Sequence, residues 1–438
     1  MVKFAMRETS HTTKIIIFIA WLFPIFFIPQ VQGFLNYGWD VAYAKTAYVL
    51  PVFLGVAFFV PLILLGKKMP VNRYALALLL FIYGHTLLSD VGEYVQVFYF
   101  ALYGLVVHLI GYNYPKVLFR QYFAVCGFIA ALVVADYLKY YITGSTICNW
   151  HRLTVLSGIP RIHTFFNEPA HLAVFLMPAL FYRLFCDRKG FDVWLAVLLF
   201  AYLATLSVMA IVLLTVVVTY YYIGKRRISI PGLFVGFVVS MVVINLGGDF
   251  ILSKLSTTTN VAMYYNRTKG TSGSNYIAMI DIAKNTELND LVFGVGYFNV
   301  GMLFADYLKQ SNLSSYYFSQ GFYEGDYTSS ALVRWLYSFG VLGEVVIWFL
   351  VIQMLRSSKK SLISIIVIVC IILVSIKESH ALDNLVFLFF FFGLFWGNGR
   401  RNRKALQLES NWQGAHSTEI PCRSSQNSVK KLGRNMLY

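Results

Sequence analysis

The sequence predicts an all-α polytopic membrane protein with about twelve transmembrane helices, and three observations carry that expectation. Apolar residues make up 58% of the chain and charged residues only 13%, with a mean hydropathy of +0.64, values far from those of a water-soluble domain. The apolar residues gather into long runs, as a hydrocarbon core about 30 Å thick demands of helices about 20 residues long. Lysine and arginine recur in short clusters between those runs, the pattern of cytoplasmic turns.

In order, the runs are Ile15 to Leu35, Thr46 to Leu65, Val71 to Ser89, Tyr94 to Tyr112, and Val117 to Leu138. Phe165 to Phe185, the longer stretch Val193 to Ile223, and Ile230 to Leu252 follow. Ala331 to Leu355, Leu362 to Ile376 and Leu382 to Trp396 close the series. The first run follows Lys3, Arg7 and Lys14 as a signal peptide would. It is longer than a cleavable apolar region and ends in no small-residue cleavage site, so it reads as a retained span. Of the five cysteines, Cys126, Cys186 and Cys370 lie in or beside apolar runs, Cys422 in the tail, and Cys148 alone in an exterior loop, so no disulfide framework is expected.

Five basic clusters fall at alternate junctions: Lys67, Lys68 and Arg73; Lys116 and Arg120; Arg183, Arg188 and Lys189; Lys225, Arg226 and Arg227; Arg356, Lys359 and Lys360. Placing the third and fourth clusters both inside requires Val193 to Ile223 to cross twice, as two short helices turning near Ser207. Both termini are then cytoplasmic. With the N-terminus and tail, the inside segments hold 25 of the 36 lysines and arginines, so the net charge of +16 is mostly orientation signal and gives no case for nucleic acid. The layout divides into a membrane bundle of about nine spans over 1–252, a large exterior loop over 253–330, C-terminal spans over 331–398, and a basic cytoplasmic tail over 399–438.

Four exterior segments carry polarity. The acidic turn Asp90 to Glu93 reads as a helix boundary. Lys139 to Thr164 carries His151, Arg152, Arg161 and His163, and the turn KESHALD places Lys377, Glu378, His380 and Asp383 between the last two spans. Ser253 to Ser330 is the one long loop, and its many tyrosines, with helix-like apolar spacing at Ile277, Ile280 and Ala283, predict short helices resting on the membrane surface. Gly270, Gly273, Gly294, Gly296 and Gly301 are expected to mark turns, and FGVGYFNVG lacks the strand-then-helix setting of a nucleotide-binding loop.

The stretch RIHTFFNEPAH, Arg161 to His171, concentrates reactive groups at the start of a span. Asn167 can cap that helix and Pro169 suits its first turn. The helix N-terminus favours a phosphate, with Arg161 just upstream. Glu168 and His171 share a helix face. A plain structural role also fits, with Glu168 complementing the dipole and the histidines at the headgroups.

An Arg-x-x-x-Phe-x-x-Glu-Pro segment opening a mid-chain helix, a double short span, and one long exterior loop before the last spans resemble a Wzy-type O-antigen polymerase, in a group that includes the O-antigen ligases. The resemblance covers most of the chain in layout and rests on short motifs. It implies a GT-C-type glycosyltransferase of the bacterial inner membrane that joins undecaprenyl-pyrophosphate-linked repeat units at the periplasmic face. Partners would be those lipid-linked glycans, membrane lipids and a chain-length regulator protein; no cofactor or metal is implied. In the ligase relatives a loop histidine activates the acceptor, whereas this loop contains none.

A pyrophosphate leaving group needs fixed positive charge as the glycosidic bond breaks, and arginine offers a planar, permanently charged fork. Arg161, Arg267 and Arg334 are the candidates. Arg267 and Arg334 also fit as a solvated loop charge and a snorkelling anchor respectively. Candidate bases for the acceptor hydroxyl are Glu168, His163, His171, His380, Glu324 and Asp326, although solvated surface positions account better for the last three. A flippase or other transporter is the rival reading, and a receptor a further one. A transporter should carry several mid-span charges, whereas Glu344 is the main one expected here.

Overall fold

The computed structural model describes residues 10–27, 49–64, 71–89, 94–148, 154–156, 159–164, 166, 169–185, 192–207, 211, 214–215, 282–296, 299–310 and 331–356. The chain divides into two units, Met1–Gly397 and Asn398–Tyr438, and all described residues belong to the first. Its helices are α1 (His11–Phe27), α2 (Val49–Leu64), α3 (Arg73–Ser89), α4 (Tyr94–Asn113), α5 (Pro115–Thr143), α6 (Pro169–Phe185), α7 (Val193–Ala204), α8 (Leu288–Phe293), α9 (Val300–Lys309) and α10 (Ala331–Arg356). Two strands, β1 (Thr154–Leu156) and β2 (Ile159–Arg161), pair antiparallel with Val155 opposite Pro160.

Among the described residues, two helical stretches are long and apolar enough to cross a membrane, Lys116–Thr143 in α5 and Arg334–Met354 in α10, and shorter apolar helices accompany them. Large apolar side chains also point outward, among them Phe53, Leu80, Phe128, Trp194, Val345 and Phe349. A surface of that kind suits lipid rather than water. The predicted spans Ile230 to Leu252, Leu362 to Ile376 and Leu382 to Trp396 lie outside the described residues.

Helix ends follow local chemistry. Pro115 starts α5, where a missing N–H costs nothing, and Gly144 ends it with φ 70°, donating to the Tyr140 carbonyl at 2.8 Å. Asn72 caps α3, its Oδ1 accepting from the Tyr74 and Ala75 amides at 2.9 and 3.4 Å. Asp192 caps α7 through the Leu195 amide at 2.9 Å and pairs with Arg183 at the end of α6. That pair closes the turn assigned to the third basic cluster. Asp192→Ala is expected to cost about 1 kcal/mol for the lost cap, read as an earlier thermal midpoint of the detergent-solubilised protein.

The helices pack through buried aromatics whose polar atoms find partners. Trp21 of α1 donates to Gln121 Oε1 at 2.9 Å, and Gln121 in turn donates to the Lys14 carbonyl at 2.8 Å, tying α1 to α5. Tyr122 of α5 stacks edge-on against Trp21 and Phe175, and its hydroxyl donates to the Phe175 carbonyl of α6 at 2.6 Å. In an apolar medium such bonds replace those water would supply. α7 packs against both α5 and α6, and α10 against α3, α8 and α9.

Three features correct the sequence expectation. The segment before α6 is not all-α: Pro160 forbids a helix interior, and the Thr-Val-Leu and Ile-Pro-Arg triplets form a small ribbon instead. Gly301 lies inside α9 rather than at a turn, whereas Gly294 and Gly296 do mark one, with φ 79° and 90°. Besides Glu344, Asp136 near the end of α5 and Arg334 in the first turn of α10 are buried charges that hydropathy alone did not single out as interior. Asp136 Oδ1 accepts from the Ile147 and Cys148 amides at 2.5 and 3.0 Å, and Lys139 donates to the Thr146 carbonyl at 3.2 Å. The two side chains hold down the chain where it leaves α5.

Candidate functional site

The run Val193 to Ile223 contains neither glycine nor proline up to Tyr222, yet its helix stops at Ala204. Thr205 and Ser207 explain how. The Thr205 hydroxyl donates to the Tyr202 carbonyl at 2.8 Å and accepts from the Ser207 amide at 3.4 Å. Leu206 between them has φ 45°, an uncommon conformation for a branched side chain. Helical bonding resumes as the Ile211 amide donates to the Ser207 carbonyl at 3.1 Å. The break falls where the sequence places a turn, near Ser207, and Thr205, Leu206 and Ser207 are all buried.

Irregular backbone buried in an apolar bundle persists only where neighbouring groups satisfy its polar atoms. Here β2 supplies the partners. The Ile162 amide donates to the Ala204 carbonyl at 3.3 Å, and Arg161 Nε donates to the Thr205 carbonyl at 3.4 Å. The guanidinium therefore sits on the carbonyl end of α7, where the helix dipole favours positive charge. Arg161 is partly exposed, while Ile162, His163 and Thr164 are buried.

The chain then turns tightly into α6. His163 Nδ1 lies 2.5 Å from the Phe166 carbonyl, and the Phe166 amide donates back to the His163 carbonyl at 2.9 Å. A carbonyl can only accept, so Nδ1 carries the proton. Thr164 has φ 48° and a buried hydroxyl. Strain of this kind, about 1–3 kcal/mol, persists only where surrounding structure enforces it. Pro169 opens α6 in its first turn, as the sequence indicates.

Arg161 thus places a guanidinium on the carbonyl end of the broken helix, with buried Thr205 and Ser207 at the break itself and buried His163 and Thr164 following Arg161 in the chain. Thr205 and Ser207 were missed as site residues by sequence reasoning, although two hydroxyl residues inside an apolar run were the available signal. Asp136 was readable in the same way, as a carboxylate within a predicted span.

Arg334 lies in the first turn of α10 and is 5% exposed, which places it inside the protein rather than snorkelling to the surface. His171 falls in the first turn of α6, and its side chain lies outside the described residues, as do Glu168, Arg267, Glu324, Asp326 and His380. Between α8 and α10, Tyr307 of α9 is buried and donates to Asp290 Oδ2 at 2.5 Å. Burial, reinforced by the Asp290 carboxylate, pushes its phenol up to about 12, so this bond persists throughout the neutral range. Among the described residues no group of histidine, cysteine and carboxylate side chains could hold a metal ion.

No protein-family model matches the chain, and no curated protein sequence matches it.

Proposed function

We propose that the chain is a GT-C-type glycosyltransferase with about twelve spans and both termini in the cytoplasm. It polymerises undecaprenyl-pyrophosphate-linked repeat units into O-antigen or a related surface polysaccharide at the periplasmic face of a bacterial inner membrane. The observation that carries this reading is Arg161 seated on the buried break of α7. A permanent cation oriented within an apolar bundle suits a pyrophosphate on a lipid tail.

In the proposed reaction the acceptor hydroxyl oxygen attacks the anomeric carbon of the donor glycan. The bond from that carbon to the pyrophosphate breaks, and the leaving group departs with the electron pair. Arg161, with Arg334 and Arg267 as further candidates, neutralises the charge that develops there. The acceptor proton passes to a carboxylate or imidazole, for which Glu168, His171, Glu324, Asp326 and His380 are the candidates. Buried His163 is less suited to this role, since its Nδ1 proton is committed to the Phe166 carbonyl.

One observation favours a second reading. Both α7 and α10 are interrupted, and discontinuous helices in many transporters frame a substrate site. A flippase for the same lipid-linked units is the alternative, and an O-antigen ligase a closer one. Deleting the gene in its host and displaying surface polysaccharide by size separates them. The polymerase predicts a single-repeat product. Complete loss of repeat units supports the flippase, long chains that never reach their final acceptor support the ligase, and an unchanged long-chain ladder overturns all three.

A further inference from the structure

α10 is interrupted at Gly340, whose φ 69° and ψ 174° are not helical. In a continuous helix the carbonyls of Tyr337 and Ser338 would accept from the amides of residues 341 and 342. Here the donors come from the exterior loop. The Val295 amide donates to the Tyr337 carbonyl at 2.9 Å and the Gly296 amide to the Ser338 carbonyl at 3.0 Å. The FGVG portion of the glycine-rich motif thus serves as the seat of the loop on a membrane helix.

The fit admits no side chain at two points. A Cβ on Gly294 would stand 2.5 Å from both the Gly340 nitrogen and the Ser338 oxygen, and one on Gly340 would overlap the Val292 carbonyl. Both residues have positive φ, and glycine alone reaches their φ/ψ combinations without penalty. Two further bonds hold the segment against α3. His85 Nε2 meets the Phe293 carbonyl at 2.9 Å, and Asn299 Nδ2 donates to the Ser89 carbonyl at 3.1 Å. Phe339, beside Gly340, packs its ring against His85 and Phe81.

We propose that Gly294, Val295 and Gly296 with Tyr337 to Gly340 form a two-state joint, in which loop docking and the break in α10 are a single event. The carbonyls of Tyr337 and Ser338 cannot be left unpaired in an apolar bundle, because each would cost about 1–3 kcal/mol. They bond either to Val295 and Gly296, with the helix broken and the loop seated, or to the next helical turn, with the helix continuous and the loop released. The number of backbone bonds is the same in both arrangements, so the balance can be tipped by modest forces. Arg334 lies on the half-helix before the break, so its orientation follows the state of the joint. The joint stands whatever reaction the chain performs.

Hydrogen exchange read by mass spectrometry, on the full chain in lipid nanodiscs, tests the coupling. Gly294→Ala changes the loop and leaves the span sequence intact. It is expected to speed exchange at Val295 and Gly296 by about tenfold or more, and to slow it at Val341 and Leu342 as those amides gain carbonyl partners in a continuous helix. His85→Leu, which removes one loop contact and adds no clash, should move both segments in the same directions by less. Gly84→Ala, at a glycine with open space around it, is the control and should move neither. Unchanged or faster exchange at Val341 and Leu342 in Gly294→Ala would overturn the joint, as would unchanged exchange at Val295 and Gly296.

Discussion

Arg161→Lys is expected to collapse the long-chain polysaccharide to short products, with a fall of roughly a hundredfold in polymerisation rate. Lysine preserves the charge and discards the geometry. In the native chain Arg161 Nε is directed at the Thr205 carbonyl, which orients the planar guanidinium on the end of α7. A guanidinium so held can present a fork to a phosphate, while an ammonium on a flexible stem gives a single point of charge. Losing one preorganised donor at a developing anion typically costs about 2.7–4 kcal/mol. The measurement is the size distribution of surface polysaccharide in a deletion host carrying the variant, with membrane abundance matched to the native protein. A full-length ladder from Arg161→Lys would reject a bidentate phosphate role, and Arg161→Ala then shows whether charge is needed at all.

Asp136→Ala is expected to free the segment that follows α5, because the Ile147 and Cys148 amides both lose the acceptor they share. Charge-assisted bonds of this sort contribute about 1.5–3 kcal/mol each, and stranding buried amides adds to the loss. Asp136 is fully buried, and Cys148, whose amide it accepts, is itself a buried free thiol. Alkylation of Cys148 therefore reports the anchor directly. In a background with Cys186, Cys370 and Cys422 changed to serine, Asp136→Ala should raise the Cys148 labelling rate by about tenfold or more, since 1.4 kcal/mol of local opening corresponds to a factor of ten. Cys126, buried in the middle of α5, should stay slow in both forms and serves as the internal standard. Asp136→Asn keeps an acceptor and should fall between them. Equal labelling in all three proteins would show that the carboxylate does not hold this segment.

The helical elements were legible because apolar run length and basic clusters are one-dimensional signals. Runs predicted at Val71 to Ser89 and Tyr94 to Tyr112 correspond to α3 and α4 within two residues at each end. The helix break at Thr205 to Ser207 falls where charge placement put a turn, although hydropathy shows a single run. The ribbon at Thr154 to Arg161 was not anticipated, although Pro160 argued against a helix there. Asp136 was overlooked because one carboxylate near the end of an apolar run barely alters its average.

From composition, run length and charge placement came the helical membrane-type architecture and the break within Val193 to Ile223. These depend on the transfer of side chains out of water, which each residue contributes largely independently of its distant neighbours. Tertiary packing alone settled which carbonyls the breaks expose and what meets them: Arg161 on Thr205, and Val295 with Gly296 on Tyr337 and Ser338. The residues of the second junction are about forty positions apart. A backbone bond between such segments depends on close approach permitted by Gly294 and Gly340, and the sequence of either segment taken alone contains nothing that names the other.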